Sequence, residues 1–339
     1  MAIILIEGFD HYNAATAAGK LTLGNGATIN TASGRGGGGC LGWTISAVGA
    51  SYIPLGGDYS DFIVGFAFLP GVSATTESII CAARGSDGVD QVYLRLTNSN
   101  QLYVTRGTST IIGIGSIALP GNIWSYIEFR CKISDTSGVC QVWVNGALDI
   151  NFSGDTRQSA SVATANTISF RFGHYSDAKI DDLYVMNLLA APHNARLGDC
   201  RVETVLPNGD GAASEWTVSP GPDHWDALND SPPDGDSTFV QTDVEAEIDF
   251  FHFPDVNEAT AVFALSMSGY AKKTGIAEIA FQLGAFVGSP GTEYYSDNFY
   301  LSTGYQHFTK MFEVNPLTDA DWTGPIINNS QFGIRLPAL

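Results

Sequence analysis

From Trp124 to Ile150 apolar and polar side chains alternate with period two. Ile127, Phe129, Cys131 and Ile133 share one face of an expected strand, and Glu128, Arg130 and Lys132 share the other. The chain turns through Asp135-Thr136-Ser137-Gly138 and returns with Cys140, Val142 and Val144 on the apolar face. A polar turn containing Gly between two alternating runs is a hairpin signal, and Asn145-Gly146 provides a second turn into 147–152. Three antiparallel strands with one apolar face need a second sheet to cover them.

Similar short runs recur at intervals of 8–12 residues: 3–9, 41–45, 51–55, 61–69, 78–83, 91–96, 101–105, 111–117, 166–173 and 179–186. Asp61–Leu69 (DFIVGFAFL) is apolar throughout. Alternation stops between Asn187 and Asp199, where a Pro interrupts the chain, so a boundary is expected there. Further strands are expected at 200–206, 239–253, 261–272, 277–284, 299–303, 307–312 and 326–336. Pro and Gly between Pro207 and Thr238 exclude long helices. The reading is all-β: two β-sandwich (jelly-roll) domains in tandem, 1–190 and 200–339, with a linker over 191–199.

Composition agrees with this reading. The 339 residues include 38 Gly, and only 15% are charged, which suits turn-rich β structure better than a helical bundle. A net charge of −19 argues against nucleic acid or an anionic membrane as partner, and it also suits plain solubility. No run approaches the roughly 20 apolar residues that span a bilayer. Ala2–Ile6 reads as a first strand rather than a signal peptide or anchor; a place outside the cell would need a route other than Sec export.

The order of a Trp, an alternating strand, a strand ending Val144-Asn145-Gly146 and a late Ile180-Asp181-Asp182-Leu183-Tyr184-Val185 resembles the laminin-G/concanavalin-like lectin domains over about 1–190. That resemblance implies a jelly roll and leaves the ligand open. The run from Leu197 through Val240, the closing DWTGPIINNSQFGIRL and the early Glu7-Gly8-Phe9-Asp10 resemble modules of tailed-phage structural proteins. That second resemblance implies a virion protein assembled with other virion proteins, acting as a homo-oligomer.

Candidate chemistry is sparse. Of the five cysteines, Cys131 and Cys140 fall opposite each other in the expected hairpin, either as a disulfide or as two buried thiols. No C-x-x-C pair points to zinc, and the six histidines (His11, His174, His193, His224, His252, His307) form no ligand pair. Glu247-Ile248-Asp249-Phe250-Phe251 resembles the Glu-x-Asp-x-x-Glu strand of laminarinase-type glycosidases, but Phe251, His252 and Phe253 stand where the acid should be. Asp181 and Asp182, and the loop acids Asp210, Asp230, Asp234 and Asp236, offer oxygen donors that suit calcium, although adjacent strand residues should face opposite ways. Trp43, Tyr52 and Tyr59 could stack on sugar rings or anchor a core. These features lead to three expectations: a non-enzymatic virion component, a carbohydrate-binding adhesin for host surface polysaccharide, and, least favoured, a glycosidase.

Overall fold

The computed structural model describes residues 2–43, 49–71, 77–171, 177–257 and 261–338. The expectations for His174, for Thr44 and Ile45, and for Phe172 and Gly173 fall outside the described residues. Among the described residues the regular structure is almost entirely strand, and the chain divides into two compact units, Met1–Ala14 with Lys20–Val202 and Ala15–Gly19 with Glu203–Leu339.

In the first unit β1 (Ile3–Glu7), β2 (Ala27–Asn30), β3 (Cys40–Trp43) and β4 (Ser51–Tyr59) lead to β5 (Asp61–Leu69). A meander follows: β6 (Ser78–Arg84), β7 (Asp90–Leu96), β8 (Gln101–Arg106) and β9 (Thr110–Ala118). The last five are β10 (Ser125–Lys132), β11 (Gly138–Val144), β12 (Ala147–Gly154), β13 (Ala165–Phe170) and β14 (Lys179–Asn187). An eight-stranded sheet runs β12-β11-β10-β5-β14-β3-β2, with β1 also on β14, and a six-stranded sheet runs β4-β13-β6-β7-β8-β9.

The two sheets bury their apolar faces against each other. Phe66 of β5 meets Phe170 of β13 edge to face, with ring centroids 5.4 Å apart. On the same face β5 sets Phe62, Val64 and Phe66 opposite Cys131, Phe129 and Ile127 of β10. Burial of each such side chain contributes on the order of 1.5–3 kcal/mol before entropy is counted. The expected hairpin register is present: Cys131 faces Cys140 across β10 and β11, and both are fully buried free thiols. The Cys131 thiol is pushed up by its hydrogen bond with Cys140 and by burial.

β5 is buried on both faces because the eight-stranded sheet is covered from outside by residues 196–202. Gly65 makes the cover possible. A Cβ there would lie 2.0 Å from the Tyr184 ring, which crosses the strand and donates its hydroxyl to Glu128 at 2.7 Å. Glu128, 1% exposed, also receives Nη1 of Arg196 at 2.6 Å and the Gly198 N–H at 2.8 Å. The Arg196 guanidinium lies 5.2 Å from the centroid of the Trp143 ring. The expected strand at 200–206 is absent, since the Val202 N–H donates to the Asp182 carboxylate instead of to a neighbouring strand.

In the second unit the main sheet runs Gly209–Ser214, Ile248–His252, Gln331–Arg335, Ala280–Val287 and Thr292–Tyr295, with Phe299–Tyr300 also on Ala280–Val287. A ribbon of Leu265–Ala271 and Gln306–Phe312 packs on it through Phe281, Phe299 and Phe308. A core of Ala285, Val287, Phe312 and Trp322 lies beside that contact. The expected strand 326–336 is split: Gly324–Asn328 is a short helix with Pro325 in its first turn, and only Gln331–Arg335 is strand. Proline's fixed φ and missing N–H suit that position and no ladder.

Candidate functional site: the outer face of the six-stranded sheet

The strands of the meander alternate cleanly. Val92, Leu94 and Leu96 of β7 and Leu102 and Val104 of β8 are wholly buried, which turns Tyr93, Arg95, Tyr103 and Thr105 to the opposite face. Register aligns that face across five strands: Tyr52 with Ser169, Ser169 with Ala82, Ala82 with Tyr93, and Tyr93 with Thr105. A neighbouring row sets Ile79 beside Arg95 and Arg95 beside Tyr103. Two tyrosines therefore flank a strip of small side chains, Ser169 and Ala82.

Guanidinium groups lie on the tyrosines. Arg84 stands 5.3 Å from the centroid of the Tyr52 ring, and Arg95 stands 4.9 Å from that of Tyr93, distances at which a cation is drawn to the face of a ring. Carboxylates tie down the hydroxyls. Tyr93 donates to Oδ2 of Asp90 at 2.8 Å, and Asp90 accepts Nη1 of Arg84 on its other oxygen at 3.0 Å. Tyr103 donates to Oε2 of Glu77 at 2.6 Å. Burial, then the bond to Asp90, pushes the Tyr93 phenol up to about 12; burial, then Glu77, does the same for Tyr103. Both are protonated donors at neutral pH. The tyrosine rings form a nearly covered floor, and the part-exposed Tyr52, Arg84 and Arg95 are the groups a ligand would meet.

Such a face suits a polyhydroxylated polymer: the guanidinium groups, held in place by the rings beneath them, keep N–H groups to donate to its oxygens, while the Tyr93 and Tyr103 hydroxyls are spent on Asp90 and Glu77. Of the expected aromatics, Tyr52 belongs to it. Tyr59 is half-buried at the far end of β4, opposite Ala165. Trp43 is not exposed: it is 2% accessible on β3, where pairing with β2 places it in the core. Sequence reasoning missed Glu77, Arg84, Asp90, Tyr93, Arg95 and Tyr103. Their signal was the polar half of the alternation, in which Tyr and Arg take outward positions where Thr or Lys would suffice.

The other candidates lie elsewhere. Asp182 has φ 52°, and β14 bulges between Asp181 and Tyr184, so the two adjacent carboxylates reach one arginine instead of opposite faces. The Arg35 backbone N–H donates to Asp181 at 2.7 Å, and its guanidinium stands 3.4 Å from Asp182 and 2.7 Å from Asp199. Burial, then the charge of Asp182, raises the Asp181 carboxyl to about 7. A guanidinium thus occupies the position to which a calcium ion would be drawn. The loop acids hold loops: Asp210 accepts from the Trp225 N–H, Asp230 and Asp234 from Thr238, and Asp236 from Lys272 and Tyr305.

Glu247 and Asp249 do not form a carboxyl pair. Glu247 accepts from the Thr242 hydroxyl, and Asp249, fully buried, takes the N–H groups of Glu215 and Trp216 together with Nδ1 of His224 at 2.7 Å. Burial raises the Asp249 carboxyl. It serves as an anchor for the 215–225 loop.

No family model matches this chain, including laminin-G and phage modules, and no curated protein sequence is similar to it. Solved structures of similar shape include the sialidase of Trypanosoma rangeli, at 12% identity and TM-score 0.36 over 48% of this chain and 27% of that one. The chain therefore spans about a quarter of the sialidase's length. They also include an alginate lyase in complex with an alginate tetrasaccharide, at 14% identity and TM-score 0.36, over 54% of this chain and 96% of that one. A second complex of that lyase, with an alginate trisaccharide, gives 11% identity and TM-score 0.37, over 55% and 98%. These neighbours are β-rich carbohydrate-active enzymes. The expectation that the chain is not an enzyme does not stand, because enzymes are among the structures of its shape; the likeness extends to the fold alone.

Proposed function

We propose that this protein holds a polysaccharide across the outer face of the six-stranded sheet. The observation that supports this reading is the floor of Tyr52, Tyr93 and Tyr103, with the guanidinium groups of Arg84 and Arg95 laid on the first two. A face meant only for water needs neither ring nor fork, and each such side chain costs about 0.5–2 kcal/mol of rotamer entropy to immobilise. Affinity electrophoresis against immobilised bacterial polysaccharides tests the proposal. Retardation by at least one polymer is expected, weakened at least fivefold in Tyr52→Ala; migration unchanged by every polymer overturns it.

The setting we propose is the surface of a tailed-phage particle. The resemblance of Glu7-Gly8-Phe9-Asp10 and of the second half to phage structural modules supports it. The first of these is a built corner: Phe9 is buried with φ 59°, and Oδ1 of Asp10 accepts the Gly39 N–H at 2.5 Å. Mass spectrometry of purified particles should find the chain among the virion proteins, in association with other virion proteins and as a homo-oligomer. A chain left in the lysate supernatant would sink this part of the proposal.

A further inference from the structure

Resting on the glycan reading above, we infer that the polysaccharide is an acidic one, a uronate polymer whose carboxylate is received by Arg95.

The argument begins with charge. The chain carries 35 acidic and 16 basic residues, so an arginine that meets no carboxylate runs against its composition. Arg35, Arg84, Arg106, Arg130, Arg157 and Arg196 each meet an Asp or Glu of the chain. Arg95 meets none among the described residues; Arg171, Arg201 and Arg335 likewise meet none there, and of these four Arg95 is the one laid on a tyrosine of this face. Its Nε donates to Oγ1 of Thr105 at 3.0 Å, and its Nη2 donates to the carbonyl oxygen of Thr108 at 3.0 Å. Both acceptors are neutral, so they fix the guanidinium without cancelling its charge.

The nearby acids are committed elsewhere. Asp90 is shared by Arg84 and the Tyr93 hydroxyl, and Glu77 takes the Tyr103 hydroxyl. The Tyr93 ring supports the guanidinium from below. A guanidinium oriented in advance by two hydrogen bonds and one ring loses little entropy when a planar carboxylate docks on its fork. A neutral hydroxyl would leave most of that charge unanswered. The next sugar of a uronate polymer passes above the buried Ser169 and Ala82 toward the part-exposed Tyr52 and Arg84. The net negative charge of the whole chain makes this discriminating: an acidic polymer is repelled except where local cations are left unpaired.

The test uses the full chain against polygalacturonate and alginate, each paired with its carboxyl-reduced neutral counterpart, at low and high salt. The expected result is binding to the acidic polymers at least tenfold tighter than to the reduced ones, weakening as salt rises. Arg95→Gln should lose about tenfold on the acidic polymers and little on any neutral one, and Arg95→Lys should recover only part, having charge without the fork. A circular-dichroism melt of each variant separates lost binding from lost folding. Equal binding of acidic and reduced polymers, or an Arg95→Gln that folds and binds as the parent does, overturns this inference and leaves the glycan reading in place. Binding to no polymer of either kind removes both.

Discussion

The two outer faces of the first sandwich use the same side chains to opposite ends. On the eight-stranded sheet, Glu128, Tyr184, Arg196 and Trp143 form a carboxylate–tyrosine–arginine–aromatic cluster, and residues 196–202 close over it. On the six-stranded sheet, Asp90, Tyr93, Arg84 and Tyr52 make the same kinds of contact, and the guanidinium groups stay part-exposed. The difference is the origin of the last ligand. Glu128 is completed by the chain's own backbone at Gly198, whereas Arg95 is completed only by neutral oxygens. A composition count cannot tell these faces apart; satisfaction of charge can.

Substitutions should separate them. The largest effect is expected from Glu128→Ala, which strips three donors of a buried acceptor: about 3 kcal/mol or more of stability lost in urea melts, with part of Arg196's share discounted for its exposure. Gly65→Ala should follow at about 2–3 kcal/mol, because the Tyr184 ring must leave its seat over the strand. If either variant melts like the parent, the covered face is not a closed unit. Arg84→Ala on the open face should cost under about 1 kcal/mol, the range of exposed ion pairs, while weakening glycan binding several-fold. A large loss of stability there would mean that the open face is structural after all.

A different kind of effect is a pH slope. The Asp181 carboxyl holds its proton up to about pH 7 when folded, and an unfolded one releases it near pH 4. Folding therefore takes up a proton across that window, and this contribution to stability, full below about pH 4, fades as the pH climbs to about 7. The parent should lose Tm relative to Asp181→Asn as the pH rises from about 4 to about 7, the comparison being most favourable to the parent on the acid side. A difference in Tm that stays constant with pH would refute the assignment.

How much of this was legible beforehand depended on whether a strand obeyed strict alternation. The Trp124–Ile150 hairpin did, so both its turns and the Cys131–Cys140 pairing could be read from spacing. The all-β character was equally open to reading. The open face was not, because Tyr52, Arg84, Tyr93 and Arg95 sit on separate strands and two bulges in β6, at Ile79/Cys81 and Ala83/Arg84, set their alignment. The cover over Glu128 was hidden for a different reason. Residues 196–202 bond through side chains and single N–H groups with no ladder, so no period marks them. Asp182 defeated the rule of opposite faces by adopting a left-handed φ, which a plain strand pattern cannot announce. Trp43 and the 324–328 helix show the reverse error, in which residue type was read without the backbone that buries or coils it.

One feature of the path of the chain bears on how such a protein can be rebuilt. Ala15–Gly19 belong to the second unit, where the Ala18 carbonyl accepts the His307 N–H at 2.7 Å, although the residues on either side of them belong to the first. Genetic exchange of everything from position 203 onward would therefore carry off a unit missing five of its own residues, so that the carbonyl facing an N–H of the Gln306–Phe312 strand would come from a segment shaped by the other parent. A chimera that inherits residues 15–19 from the same parent as residues 203–339 should outlast one that does not.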